Sequence, residues 1–445
     1  VPLCHGRRGN ILPDPRKSQA FPAGDQTMLA NKILIRGEDS LGLERLYRSD
    51  PAKFAGHLEQ ALQHNPEAPI LKFWQARLEY TEPVRAISMA VTGRQICYPA
   101  LLCLLAVLLV RIPALFEVNE FWFYTRFAPL IVFAALIFYF SHQTSHRKSI
   151  KVFMIGGVMT TGIAMAWLPD NYQSSSVVMA IIHAPLVMWS LLGLAFTSNA
   201  WRSANTRLDY LRYNGEVCIF IAMIFLGGIV LTGLTIALFG LIQLNIGQWY
   251  LNNVVLAGLV SAPILATFLY NEILGRKSRF ASTIANIFTP LFLITVVIYL
   301  LTMAIQQKSP FSDREFLILF NGLLILVLGM TVFSVCGRNH DQPSRLVDSI
   351  NLALVCVTLM VNFIALAAIL YRFSEWGLSP NRVVVLGANV LIFGHLIQIL
   401  KAYSDVFRGK IRAEKLIEAT VAYLPIYGAW AIIVMIALPI VFRFA

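Results

Sequence analysis

The sequence predicts an all-α fold, a polytopic bundle of about eleven transmembrane helices preceded by a small N-terminal cytoplasmic helical hairpin. Three observations predict it. Hydrophobic residues make up 57% of the 445 and charged residues 13%, roughly half the charged fraction of an ordinary soluble domain. Apolar stretches recur from Ile96 onward, each about 20 residues long and therefore able to cross a ~30 Å hydrocarbon layer as a helix. These stretches are continuous and do not alternate with period two, which sets aside a β-barrel.

The chain opens with residues 1–27, rich in Pro, Gly and basic residues and without apolar periodicity; we read them as either a disordered tail or an upstream artefact of the reading frame, with a more ordered pattern beginning at Met28. Residues 28–90 form the cytoplasmic helical region. From Ser40 to Tyr80 apolar residues recur at spacings of three and four: Leu41, Leu43, Leu46 and Tyr47, then Phe54, Leu58 and Leu62, then Ile70, Leu71, Phe73, Trp74 and Leu78. That spacing predicts a buried helical stripe. Asp50-Pro51 fits an N-cap followed by Pro at the first helical position, and Asn65-Pro66 stops the helix before the next begins. The pattern from Asp50 to Tyr80 reads as one helix hairpin of tetratricopeptide type. A single hairpin cannot bury both faces as a solenoid does, so it is either a docking surface for a protein partner or a collar on the membrane domain.

The transmembrane domain runs over 96–442, with spans at 96–113, 122–141, 150–168, 176–197, 215–243, 252–273, 282–305, 315–336, 347–371, 382–402 and 421–442. No signal-peptide pattern is read ahead of the first. The over-long fifth span carries Gly227, Gly228, Gly233 and Gly240, which predict tilt, a bend or close helix packing. The linker from Pro113 to Tyr124 mixes aromatics with Glu117 and Glu120, as an interfacial belt does.

A net charge of +12 raises the question of nucleic acid, and the placement of the charge answers it. The loops after the even-numbered spans carry sixteen Lys or Arg and the opposite loops seven, among them Arg111, Arg126 and Arg382. The positive-inside rule then places the N-terminus in the cytoplasm and the C-terminus outside. The basic charge orients the chain and offers contacts to anionic membrane lipids, with no nucleic-acid partner implied. The six cysteines include no Cys-x-x-Cys pair and read as small core residues.

Signatures of soluble enzymes are missing: there is no phosphate-binding loop, dinucleotide fingerprint, His-Glu-x-x-His or nucleophile elbow. No catalytic, cofactor or metal residue is assigned. Chemistry is sought instead in polar groups at membrane depth, where each is costly. His183 precedes Pro185 by two residues in the fourth span and either lines a Pro-distorted cavity or bonds a neighbouring helix. The sixth span ends in Asn271-Glu272, with Arg276 placed for an i,i+4 ion pair to Glu272. The seventh holds Asn286 and Thr289-Pro290, a Pro-broken helix of the kind transporters use for substrate sites. His395 and Gln398 share a face of the tenth span with Asn389 six residues before, and Asn362 and Asn321 can meet that face as interhelical partners.

Between the ninth and tenth spans lies Phe373-Ser-Glu-Trp-Gly-Leu-Ser-Pro-Asn-Arg382. Gly377 permits a tight turn, Ser379-Pro380 is a stop-and-start signal, and Glu375 and Arg382 can pair across the turn, either as a rigid hairpin or as an outer-face gate. With Arg372 and Thr289-Pro290-Leu291, this motif resembles a bacterial polytopic membrane family of unknown function, the domain of unknown function numbered four-one-five-three. The resemblance covers about residues 215–405, with Ser379 where Thr is usual. It implies a bacterial inner-membrane location and transfers no activity.

The function expected is that of a permease-like or channel-like protein for a small solute or ion. Its polar pathway would be formed by His183, Asn271, Glu272, Asn286, Thr289, Asn362 and His395. The alternative is a non-transporting scaffold or signalling component that recruits a partner through the hairpin and the basic loops.

Overall fold

The computed structural model describes residues 39–49, 51–65, 68–79, 93–276, 278–305, 314–337, 345–408 and 414–444. The expectations for the tail at 1–27, the Asp50 cap and the Pro66 break lie outside the described residues, as do Lys277, Lys308, Arg338, Lys410 and Arg412. The chain divides into two compact units, Val1–Ser88 and Met89–Ala445.

Among its described residues the first unit holds three helices, α1 (Ser40–Ser49), α2 (Pro51–His64) and α3 (Pro69–Glu79). Asp39 caps α1, its Oδ1 accepting the Gly42 N–H at 2.9 Å. Leu43, Phe54, Leu58, Ala61, Leu71 and Trp74 form the core. The rings of Tyr47, Phe54 and Trp74 meet pairwise at centroid distances of 5.0 to 5.7 Å, contacts worth about 0.5–1.5 kcal/mol per pair beyond burial. Two members of the expected stripe fall outside this core, Leu41 and Phe73, each 63% exposed. Phe73 lies about 100° round the helix from Trp74, and Leu41 about 200° from Leu43, so neither can follow the face its neighbour buries. Glu44 accepts from Arg48 and Arg77 at 2.9 and 2.8 Å, and these two bonds, Arg48 first, hold its carboxyl below the ordinary Glu value. The pairing is therefore present at neutral pH and lost as acidification passes that lowered value.

The described residues of the second unit form helices joined by turns and short loops. The unit comprises α4 (Gly93–Val110), the short α5 (Ile112–Phe116), α6 (Glu120–Gln143), α7 (Lys148–Trp167), α8 (Ser175–Thr197) and α9 (Ala204–Leu241). Then come α10 (Gly247–Ile273, with π-turns at Leu251–Val255 and Leu269–Ile273), α11 (Phe280–Ile305), α12 (Arg314–Cys336), α13 (Arg345–Trp376) and α14 (Pro380–Phe407). The short α15 (Glu414–Val421) and α16 (Leu424–Ile432, continuing through a π-turn to Val441) close the unit. Among the described residues nine helices are long and apolar enough to cross a membrane. The first and eighth expected spans correspond to shorter apolar helices, Gln95–Val110 and Phe320–Cys336. By length and hydropathy, the chain is a multi-pass helical membrane protein.

Three local expectations are corrected. The glycines of the fifth span do not interrupt it: α9 is continuous for 38 residues, about 57 Å at 1.5 Å per residue. A Cβ on Gly227, Gly228, Gly233 or Gly240 would meet nothing within 4 Å, so no close packing occurs there either. Pro290 does not break α11, which runs uninterrupted through it. Of the five described cysteines, Cys97, Cys218 and Cys356 are exposed and only Cys336 is buried, so three face the surroundings of the bundle.

The loops after the even-numbered spans share one end of the bundle, hereafter the basic end. Ser198 and Asn199 both donate to the Ser145 carbonyl, and Asn199 accepts the Arg147 N–H. His146 is buried between the Thr144 and Ala195 carbonyls at 2.7 and 3.0 Å. Arg212 donates twice to the Cys336 carbonyl at the end of α12, at 2.9 and 2.7 Å. Arginine here serves helix C-termini, whose last carbonyls lack intrahelical partners and carry partial negative charge.

Gly387 is among the glycines required by close approach. A Cβ on Gly387 of α14 would overlap the Trp430 ring of α16, a rigid group with little room to shift. Gly387→Ala should destabilise by about 1–3 kcal/mol, the usual cost of overpacking, read as a lowered unfolding midpoint in detergent. Unchanged stability would show that Trp430 turns aside freely.

Candidate functional site

The residues expected to line one pathway are divided by their hydrogen bonds among separate places. His183 donates Nδ1–H to the Met179 carbonyl of its own helix at 2.8 Å, and α8 continues through Pro185. Glu272 accepts from Gln143 at 2.9 Å and Gln95 at 3.4 Å, at the basic end. Its expected ion pair with Arg276 does not form: Arg276 donates to Asn271 at 2.9 Å and lies over the Phe196 ring. The π-turn at Leu269–Ile273 alters the i,i+4 register on which that pair depended. Thr289 is buried, its hydroxyl donating to the Ala285 carbonyl at 2.7 Å.

His395 is also closed off. A carbonyl can only accept, so Nε2–H donates to Thr420 O at 3.1 Å, which leaves Nδ1 to accept from the Tyr427 hydroxyl at 3.0 Å. Its ring stacks on Tyr423 at 4.6 Å. Both nitrogens are satisfied, one by α15 and one by α16.

At the opposite end, Glu375 and Arg382 do not pair. Arg382 instead donates to the carbonyls of Trp376 and Gly377 at 2.8 and 2.6 Å, closing the C-terminus of α13. Gly377 takes φ +66°, the left-handed conformation that glycine adopts without a Cβ penalty. The orphan carbonyls of a helix end attract the guanidinium more strongly than an exposed carboxylate does.

What the structure does bring together is a polar seam among α11, α12, α13 and α14. At one level, Ser334 donates to Asn286 Oδ1 at 2.7 Å and accepts from Asn351 Nδ2 at 2.7 Å, joining three helices. At a second level, Asn389 donates to Asn321 Oδ1 at 2.8 Å, and its carbonyl accepts from Asn362 Nδ2 at 3.2 Å. The eleven residues from Asn351 to Asn362 separate the levels by about 16 Å along α13. Thr358 lies between them on the same helix face, its hydroxyl bonded to Leu354 O. Leu324 and Val355, both fully buried, occupy the same interval.

The seam is under-satisfied. Asn351 Oδ1, Asn362 Oδ1 and Thr331 Oγ1 are buried and have no hydrogen-bond partner. A buried acceptor without a donor costs about 1–3 kcal/mol. An amide oxygen in such surroundings can take a water molecule or a small hard cation, which oxygen ligands suit. Among the described residues no group of three His, Cys, Asp or Glu could hold a metal ion.

Sequence reading missed Asn351, Ser334 and Thr331. The signal was present in α13: Asp348, Asn351, Thr358 and Asn362 fall at i, i+3, i+10 and i+14, one face of a helix, and all four are buried. Also missed were two buried charges. Glu216, 2% exposed, accepts the Ala281 N–H with Oε1 at 2.9 Å, capping the N-terminus of α11. Arg126, fully buried, donates to the carbonyls of Met165, Leu168 and Pro169 at 3.0, 2.6 and 2.8 Å. No protein-family model, no curated protein and no solved structure matches the chain.

Proposed function

We propose that the membrane domain is channel-like or permease-like, conducting a small hard cation or a proton along the seam between α11 and α14. The observation that carries the reading is the set of unpartnered buried oxygens of Asn351, Thr331 and Asn362. Polar groups at membrane depth are costly, and most buried polar groups are paired, so three unpaired oxygens gathered on two adjoining helices of one seam favour a bound ion or water there. The pathway is narrower than the one expected from sequence. It keeps Asn286 and Asn362 and sets His183, Glu272, Thr289 and His395 aside as locally bonded groups, and Asn271 aside as lying away from the seam, where its Oδ1 accepts from Arg276 and its Nδ2 is buried without a partner. The family resemblance over residues 215–405 adds no activity, so the reading rests on the seam.

The test is ion flux into proteoliposomes, followed with dyes for Na+, K+ and protons. Flux above protein-free vesicles is expected for at least one ion, falling ten-fold or more in the double variant Asn351→Leu, Asn362→Leu. Absence of flux for all three ions, or flux unchanged in the double variant, would overturn the proposal.

A second reading has its own observation. The N-terminal unit closes its own core and still exposes Leu41 and Phe73, which supports a scaffold role in which that unit binds a partner protein.

A further inference from the structure

A groove of about 510 Å³ opens on the side of the membrane domain, away from the seam residues. Ile150 and Phe153 of α7, Leu191 and Leu194 of α8, and Leu424 and Ile432 of α16 give it an apolar wall. On α8 its lining runs from Thr197 to Val187, ten residues or about 15 Å of helix. That is about half of the ~30 Å hydrocarbon thickness, the depth of one leaflet.

The groove is apolar along its length and basic at its mouth. Arg207 and Trp201 line it at the basic end. Arg207 donates Nε–H to the Trp201 carbonyl at 2.7 Å and Nη1–H to Val421 O at 3.5 Å, and among the described contacts Nη2 has no protein acceptor. Arg202 lies over the same indole, its guanidinium 4.8 Å from the ring. Ser149, a hydroxyl donor beside Lys148 on the first turn of α7, completes the mouth. Among the described residues no carboxylate lines the groove.

A guanidinium held in place by two carbonyls with its Nη2 unengaged, a hydroxyl and neighbouring cations match a phosphate group, and the apolar slot below matches hydrocarbon. We infer that this groove binds one anionic glycerophospholipid, its phosphate at Arg207 and Ser149 and an acyl chain lying between α7 and α16. Because the lining excludes negative charge, the site selects for anionic over zwitterionic headgroups. It is independent of the seam and of any flux through it.

The test is native mass spectrometry of the delipidated full chain titrated with dioleoyl phosphatidylglycerol or dioleoyl phosphatidylcholine. One tightly held phosphatidylglycerol is expected, preferred ten-fold or more. Arg207→Gln should abolish the preference and Arg207→Lys should keep part of it. Ala429→Trp, which fills the slot from an exposed lining position, should weaken both lipids. Equal binding of the two lipids by the unaltered chain would overturn the inference, even if Arg207→Gln fails to fold. So would a preference unchanged in Arg207→Gln, or displacement of the lipid by millimolar inorganic phosphate, which would mark a site for phosphate alone.

Discussion

Replacing Arg126 with methionine should destabilise the membrane domain by about 3 kcal/mol or more, the largest single-residue effect on stability expected in this chain. The guanidinium is completely buried and reaches three carbonyls at the end of α7, and hydrogen bonds to a charged group contribute about 1.5–3 kcal/mol each. It also lies 5.0 Å from the Trp122 ring and 5.8 Å from that of Tyr172, a cation–π arrangement adding about 0.5–2 kcal/mol. The 3.9 Å approach to Asp170 matters little, since that carboxylate is largely exposed and screened. Methionine fills the volume and leaves the carbonyls of Met165, Leu168 and Pro169 without their donor. Lysine keeps the charge but not the planar fork, so Arg126→Lys should recover only about half of the loss. Unfolding in detergent, followed by intrinsic fluorescence against denaturant, measures both. A methionine variant within about 0.5 kcal/mol of the original protein would show that water already serves those carbonyls, and that Arg126 is an orientation charge and nothing more.

Arg126 also shows where sequence stopped being informative. Its charge was countable, and the helix it sits in was readable because α6 presents an apolar run long enough to span. That run depends only on neighbours in the chain. The partner of Arg126 is the end of a different helix some forty residues on, and no local spacing encodes that meeting. Glu216 is the same case, reaching the start of α11 sixty-five residues away. The Glu272–Arg276 and Glu375–Arg382 pairs failed for the converse reason. Their spacing in the chain was favourable, but a π-turn and an unsatisfied helix end claimed the groups first. The seam lies between these extremes. The face of α13 that carries Asn351, Thr358 and Asn362 follows from helical periodicity alone, whereas the junction of Asn351 with Asn286 through Ser334 requires knowing which helices are neighbours.

The two polar levels of that seam should respond to substitution with opposite signs. Asn351 makes one hydrogen bond, to Ser334, and leaves its amide oxygen buried and unpaired. Asn351→Leu removes the orphan oxygen, costs Ser334 only a donor it can do without while still bonding Asn286, and replaces an amide with an apolar group of similar volume. Exchange of an incompletely paired buried polar group for a matched apolar one is commonly neutral or stabilising, so stability should hold or rise by about 1 kcal/mol. Asn389 is different: it donates to both Asn321 Oδ1 and Val385 O, and Asn389→Leu strands the Asn321 oxygen, lowering stability by about 1–3 kcal/mol. If the seam conducts, the variant that stabilises is also the one that abolishes flux, the trade-off expected where a protein keeps an unfavourable group for use. Unfolding midpoints and proteoliposome flux on the same two preparations decide the matter. Loss of stability in Asn351→Leu with flux intact would instead identify the asparagines as adhesive between helices, in which case the under-satisfied oxygens are held by bound water and the search for a conduction path moves out of this bundle.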